Sequence, residues 1–135
     1  MNVTGFNHIT LKVSDLVLSL AFYEDVLGMK LVHRGRTDVY LEWGGAWICL
    51  VERPVPDEKP HTSFPSSCCG MDHVAFSIGE EDFDAAVHKL KRHQVNIVRG
   101  PVERGGGRCV NFLDPDGIQL ELNTGNLAGR MEHWK

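Results

Sequence analysis

The pattern of apolar and polar positions predicts alternating strands and helices. Residues 7–13 alternate as a strand does, and Leu16, Leu20, Tyr23 and Leu27 then recur at the spacing of one helix face. Ser14-Asp15 offers a helix N-cap and Gly28 a helix stop. Three strand-like runs follow, at residues 30–33, 39–42 and 47–51. The first part of the chain therefore predicts the order βαβββ.

The second part of the chain repeats that order. Residues 73–78 have strand character, and acidic residues at 80–82 favour the start of a helix whose apolar face carries Phe83, Val87 and Leu90. Strand-like runs follow at residues 95–98, 108–113 and 118–123. We therefore expect one domain with a two-fold pseudo-repeat. Its parts are a module at 6–52, a proline-rich linker at 53–70, a module at 71–123 and a tail at 124–135.

The repeat places potential metal ligands at equivalent positions in the two modules. His8 and His73 each begin the first strand of a module, and Glu121 lies in the last strand of the second module. A carboxylate opposite the apolar face of Leu120 and Leu122 ordinarily meets water. If the three strands share one sheet system, however, the two histidines and Glu121 converge on a divalent metal with open coordination positions. The counterpart of Glu121 in the first module falls near Cys49.

Composition narrows the classes of partner and location. The 135 residues with 42% hydrophobic content suffice for one domain with a real core. A formal net charge of −4 argues against nucleic acid or an anionic membrane as the main partner. No secretory signal or membrane-spanning run is visible, so we expect a cytoplasmic location. The four cysteines form no CxxC pair, which predicts free thiols, adjacent Cys68 and Cys69 included.

Several short motifs together resemble the glyoxalase, or vicinal oxygen chelate, superfamily. They occur in family-like order across nearly the whole chain, at residues 7–11, 19–23, 27–29, 72–76, 112–117 and 120–121. The resemblance implies an α+β fold in which two βαβββ modules form a cupped mixed sheet with the helices outside. It also implies that His8, His73 and Glu121 bind the metal. The remaining histidines lack the strand-start context and are interpreted as non-ligands: His33, His61, His88, His93 and His133.

Within this superfamily the fosfomycin-resistance branch is the most similar. Glyoxalase I has a fourth ligand, a glutamate, where this chain has Cys49. In the fosfomycin-resistance branch, the positions of Thr10, Tyr40, Trp47 and Arg130 line the substrate or phosphonate pocket. Thr10 lies two residues after His8, on the same strand face, and is a candidate hydrogen-bond donor to substrate.

Other positions depart from that branch. The lysine, serines and tyrosine that hold phosphonate in the thiol transferases are replaced by Pro101, Gly105, Cys109 and Asn111. Arg104 and Arg108 are candidates to restore the missing positive charge, since guanidinium pairs well with phosphonate or carboxylate. The hydrolase members carry an acidic general base shortly before the tryptophan, and Asp38 has a similar spacing before Trp47.

The resemblance implies a metal-dependent enzyme that acts on a small oxygenated, anionic molecule. Manganese, iron, zinc, nickel or cobalt all suit the ligands. The most specific version of this hypothesis adds a thiol such as glutathione, or water, to an epoxide. Alternatives are a glyoxalase-like lyase or isomerase, a ring-cleaving dioxygenase, and a non-catalytic protein that sequesters a drug or metabolite. The family also implies a homodimer, in which His8 comes from one subunit and His73 with Glu121 from the other.

Overall fold

The structure is a computed structural model that describes residues 1–2, 4–53 and 70–133. Most of the predicted linker, with Cys68 and Cys69 and His61, lies outside the described residues. The chain divides into two compact units, Met1–Thr62 and Ser63–Lys135. Each unit holds one copy of the repeated order of elements.

The first unit is a four-stranded sheet with one helical segment. Parallel pairing joins the first and last strands, the other neighbours are antiparallel, and the order is β1-β4-β3-β2. The elements are β1 (His8–Val13), α1 (Leu16–Leu20) continuing as a π-helix (Ala21–Val26), β2 (Lys30–Arg34), β3 (Asp38–Trp43) and β4 (Ala46–Glu52). Every strand predicted in this part of the chain is present.

The helical segment starts where the sequence predicts and changes pitch halfway. The Leu18 amide donates to the Asp15 carboxylate over 3.0 Å, and the Leu16 amide donates to the carboxylate of Glu52 over 2.7 Å. The π-helical turn was not predicted from the regular four-three-four spacing. Its wider turn allows consecutive aromatic residues, Phe22 and Tyr23, to be buried together with their rings edge to face.

The second unit repeats this sheet with the order β5-β8-β7-β6. Its elements are β5 (Val74–Ser77), α2 (Glu80–Arg92), β6 (Ile97–Arg104), β7 (Gly107–Leu113), β8 (Gln119–Asn123) and α3 (Leu127–His133). The predicted α+β class with two βαβββ modules is confirmed. In the described part of the chain, no helix is long and apolar enough to cross a membrane.

Two elements of the second unit differ from the prediction. Strand β6 runs to Arg104 rather than ending at residue 98, and its pairing with β7 shifts register twice. Pro101 has no amide hydrogen to donate, so a strand that contains it does not show the usual pattern. Helix α3 in the tail was not predicted, because it buries no side chain and so shows no apolar periodicity.

Helix α2 is attached to its unit by one apolar stripe. Phe83, Val87 and Leu90 are buried at successive turns, with Phe83 fully inaccessible to solvent. Acidic residues occupy the first turn and basic residues the last, which suits the helix dipole. The helix therefore depends on packing along this stripe more than on its exposed face.

We expect Phe83→Ala to lower the free energy of unfolding by about 3–5 kcal/mol, because it removes a fully buried ring and leaves a cavity. Urea denaturation followed by circular dichroism measures the change. The matched control on the same helix is His88→Ala, an exposed position where we expect a change within about 0.5 kcal/mol. Equal effects of the two substitutions would contradict this assignment of the helix face.

Candidate metal and anion site

Strand register gives the equivalent positions of the two units. In the first unit Thr10 pairs with Cys49, and in the second unit Ala75 pairs with Glu121. Thr10 and Ala75 each lie two residues after a histidine, so Cys49 is the structural counterpart of Glu121, as the sequence predicts. Cys49 is buried between Ile48 and Leu50 and contributes to the core.

His73 and Glu121 lie together in the second unit. His73 Nε2 is 3.0 Å from Glu121 Oε2, and His73 Nδ1 is 2.6 Å from Asp72 Oδ1. A carboxylate only accepts, so Nδ1 is the donor to Asp72. In the neutral imidazole with that hydrogen on Nδ1, Nε2 carries a lone pair. Two such donor atoms 3.0 Å apart are close enough to bind one divalent cation.

The carboxylate of Glu121 is buried at 8% exposure and accepts two amide hydrogen bonds. Asn111 Nδ2 donates to Oε2 over 3.0 Å, and Asn123 Nδ2 donates to Oε1 over 2.7 Å. These bonds replace water around a buried charge. Neither asparagine was predicted as a site residue, because the contact with Glu121 depends on the register of β7 against β8.

His8 has the same local arrangement in the first unit. Its Nδ1 is 2.6 Å from the amide oxygen of Asn7, which only accepts, so Nδ1 again donates. Its ring lies 4.3 Å from the ring of Trp47. Among the described residues no three His, Cys, Asp or Glu side chains come together as a metal-binding group. The triad of His8, His73 and Glu121 therefore stays a prediction, of which the second unit assembles two members.

A cleft of about 460 Å³ opens over His73 and Glu121 in the second unit. Arg99, Arg104 and Arg130 line it and give it positive charge. Arg130, predicted to bind substrate, comes from the unpredicted helix α3 and lies against Gly105, where an added Cβ would clash with the arginine. Arg99 was missed because the irregular register of β6 obscures which of its side chains share a face.

Arg108, also predicted to bind substrate, has other partners. Its guanidinium binds Asp84 over 2.8 Å and Glu80 over 2.7 Å, and it lies 4.5 Å from the Phe83 ring centre. The hydrogen bond to Asp84, with that to Glu80, raises the pKa of Arg108 and keeps it charged. Its assignment to substrate stays a prediction. The observed contacts connect strand β7 to helix α2.

Cys109 is a buried thiol in the same cleft. Burial raises its pKa, and the negative charge of Glu121 raises it further, against the opposing effect of the cleft arginines. The thiol therefore stays neutral near pH 7 and contributes a small, weakly polar wall rather than a nucleophile.

The remaining predicted site residues lie in the first unit. Tyr40 and Trp47 are 36% and 39% exposed and their rings meet edge to face at 5.5 Å, so they are not core aromatics. Thr10 is exposed on the strand face of His8. Asp38 is half-buried at the start of β3, on the same strand face as Tyr40 two residues later.

Comparison with known proteins gives consistent results. The sequence profile of the Glyoxalase/Bleomycin resistance protein/Dioxygenase superfamily matches residues 5–122. A metallothiol transferase FosB of Staphylococcus epidermidis is 42% identical over all of this chain and 92% of its own length. A glutathione transferase FosA of Serratia marcescens is 37% identical over 94% of this chain and 85% of its own.

A solved structure shows the same fold. The fosfomycin resistance protein FosX of Listeria monocytogenes, complexed with Mn(II) and sulfate ion, superposes with a TM-score of 0.78 at 27% identity. The match covers 99% of this chain and 100% of that chain. With its two βαβββ repeats and the profile match over most of its length, the chain belongs to the glyoxalase/bleomycin resistance protein/dioxygenase superfamily.

Proposed function

We propose that this protein is a metal-dependent fosfomycin-resistance enzyme that adds a thiol to an epoxide-bearing phosphonate. The observation that carries the proposal is the pairing of His73 with the buried Glu121 at a cleft lined by three arginines. The pair suits a divalent cation, and the arginines suit an anionic substrate group. The names of relatives as similar as 42% support thiol transfer as the reaction.

His8, His73 and Glu121 would hold the metal, with His8 supplied by the other subunit of a homodimer as in the family. When bound, a divalent ion supplies Lewis-acid stabilisation of the oxygen on which charge develops. Mn(II) is the first metal to test, since it is present in the FosX structure. The Nδ1 contacts of both histidines with their preceding residues support this assignment, because they orient each Nε2 as a ligand.

The protein's own side chains bind and orient the substrate. Arg104 and Arg130 pair with the phosphonate, and Arg99 adds positive charge at the same wall. Tyr40 and Trp47 present exposed ring surface to substrate, and Thr10 donates a hydrogen bond. In the reaction the thiol loses its proton and its sulfur bonds to an epoxide carbon as the carbon–oxygen bond breaks. The released oxygen takes up a proton, so no proton is gained or lost overall.

A second candidate is the hydrolase reaction, in which water replaces the thiol. The position of Asp38 on the strand face of Tyr40 favours it, and so does a FosX structure at 27% identity that is complexed with Mn(II) and a diol, 1S,2S-dihydroxypropylphosphonic acid. Asp38 would then act as general base toward the attacking water.

We expect His73→Ala and Glu121→Ala to lose metal binding, because each removes a ligand. The loss in Mn(II) affinity should exceed the 10- to 100-fold typical of outer-shell partners. Titration calorimetry and elemental analysis of the purified protein measure it. His93→Ala, an exposed histidine outside the site, is the control and should bind as the unmodified protein does. Unchanged affinity in both ligand variants would refute the proposed site.

We expect Arg104→Met and Arg130→Met each to lower kcat/KM for fosfomycin by about 10- to 100-fold, because a hydrogen bond to a charged group contributes about 1.5–3 kcal/mol. Consumption of the thiol gives the rate. The control is Arg92→Met on the exposed end of α2. Arg108→Met tests whether Arg108 also binds substrate, as the sequence predicts: an effect as large as those at Arg104 and Arg130 would support that assignment.

Product mass separates the two reactions. With Mn(II), fosfomycin and glutathione or another thiol, we expect the thiol adduct and only traces of diol. In that case Asp38→Asn should change the rate by less than about threefold, since no general base toward water is needed. A diol product whose formation falls at least about 100-fold in Asp38→Asn would establish the hydrolase instead.

A further inference from the structure

We propose that Asn111 and Asn123 form an amide clamp that positions the Glu121 carboxylate for metal binding. The inference rests on the proposed function, since it assigns Glu121 to the metal. It goes beyond that function by naming two residues that act on the metal site through the ligand.

The clamp holds the carboxylate from two directions. Asn111 lies directly opposite Glu121 across the β7–β8 pairing, and Asn123 lies two residues further along β8 on the same face. Their Nδ2 atoms donate to different oxygens, Asn111 to Oε2 and Asn123 to Oε1. Two bonds to two oxygens fix the rotation of the carboxylate plane, which a single bond would not do.

The direction of each amide follows from chemistry. A carboxylate has no proton to donate, so both asparagines must present their NH₂ groups to it. The Oδ1 of Asn123 accepts in turn from the Gly125 amide over 2.7 Å, so this side of the clamp is itself held in place. Asn123 thus connects the site to the turn that follows β8.

Burial of the Asn111 side-chain amide is energetically unfavourable, and apolar packing does not explain why an asparagine occupies this position. It is buried at 3% exposure between Val110 and Phe112, and its Oδ1 has no hydrogen-bond partner in the described part of the chain. A leucine of similar volume would avoid an unpaired buried oxygen. The hydrogen bond from Asn111 to Glu121 explains the presence of an amide at this position.

The clamp also distinguishes the two carboxylate oxygens. Glu121 Oε2 lies 3.0 Å from His73 Nε2, whereas Oε1 is bound by Asn123. Each amide occupies one acceptor site of its oxygen. The carboxylate is therefore held with Oε2 turned toward the histidine, which is the oxygen we assign to the metal.

The first unit provides an internal comparison. There the counterpart of Glu121 is buried Cys49, the residue opposite it is Tyr40, and the residue two positions further is Val51. Neither counterpart of the asparagines carries an amide. The clamp thus accompanies the carboxylate and is not a general feature of this sheet.

The test measures Mn(II) affinity by titration calorimetry in the full chain and in Asn111→Leu and Asn123→Leu. We expect each variant to bind about 10- to 100-fold more weakly, as for other partners that orient a metal ligand. The fold-decrease in Mn(II) affinity of the double variant should be smaller than the product of the two single decreases. Removal of either hydrogen bond alone already frees the Glu121 carboxylate to rotate. The Mn(II) electron paramagnetic resonance line shape should change in both single variants. Asn96→Leu, exposed on the same unit, is the control.

The Tm of the metal-free protein separates positioning from a structural role. Weakened binding in a variant that is fully folded at the assay temperature supports the clamp. Affinities within twofold of the unmodified protein, or weakening explained by an unfolded fraction, overturn the clamp alone. Absence of Mn(II) binding in the unmodified protein overturns the proposed function along with it. If Asn111→Leu does not fold, the Mn(II) affinity of Asn123→Leu, a substitution at a half-buried position, tests the clamp alone.

Discussion

The burial of the Glu121 carboxylate is the constraint on which the candidate site depends. A charge placed in the middle of β8, at 8% exposure, is unfavourable unless hydrogen bonds and opposite charges replace its water. Two amides supply the hydrogen bonds, and three arginines supply positive charge in the same cleft. The same arrangement leaves Oε2 and the histidine Nε2 facing one space. The hydrogen bonds that satisfy the buried charge therefore also hold the carboxylate beside His73, as the candidate metal site requires.

The repeat shows how one backbone supports two different interiors. Both units have the same strand order, and both place a histidine two residues before the position that pairs with Cys49 or Glu121. In the first unit the partner on the last strand is Cys49, whose thiol packs in the core. In the second unit the partner is Glu121, a carboxylate with polar neighbours. The fold therefore fixes where a ligand can lie, whereas the side chains decide whether one is present.

Periodicity was sufficient to predict the sheets and the two long helical segments, because each buries one face. Leu16, Leu20 and Tyr23 illustrate this, and so do Phe83, Val87 and Leu90. It failed where burial does not set the pattern. Helix α3 buries nothing, and β6 contains Pro101 and two shifts of register. These two elements carry Arg130, Arg99 and Arg104, so the sequence named Arg104 and Arg130 as candidates but could not show that they line one cleft with Arg99.

The arginines near the turn at residues 105–106 show why spacing alone could not separate cleft-lining from structural positions. Arg104 and Arg108 flank the same turn and carry the same charge, so composition treats them alike. Pairing of Asn111 with Glu121 puts Cys109 and Asn111 on the face of the carboxylate. Alternation along β7 then turns Arg108 to the opposite face, where α2 offers Glu80, Asp84 and the ring of Phe83. Two pairings that the local sequence does not reveal, Asn111 with Glu121 and Arg104 with Gly107, therefore place Arg104 on the cleft face and Arg108 on the helix face.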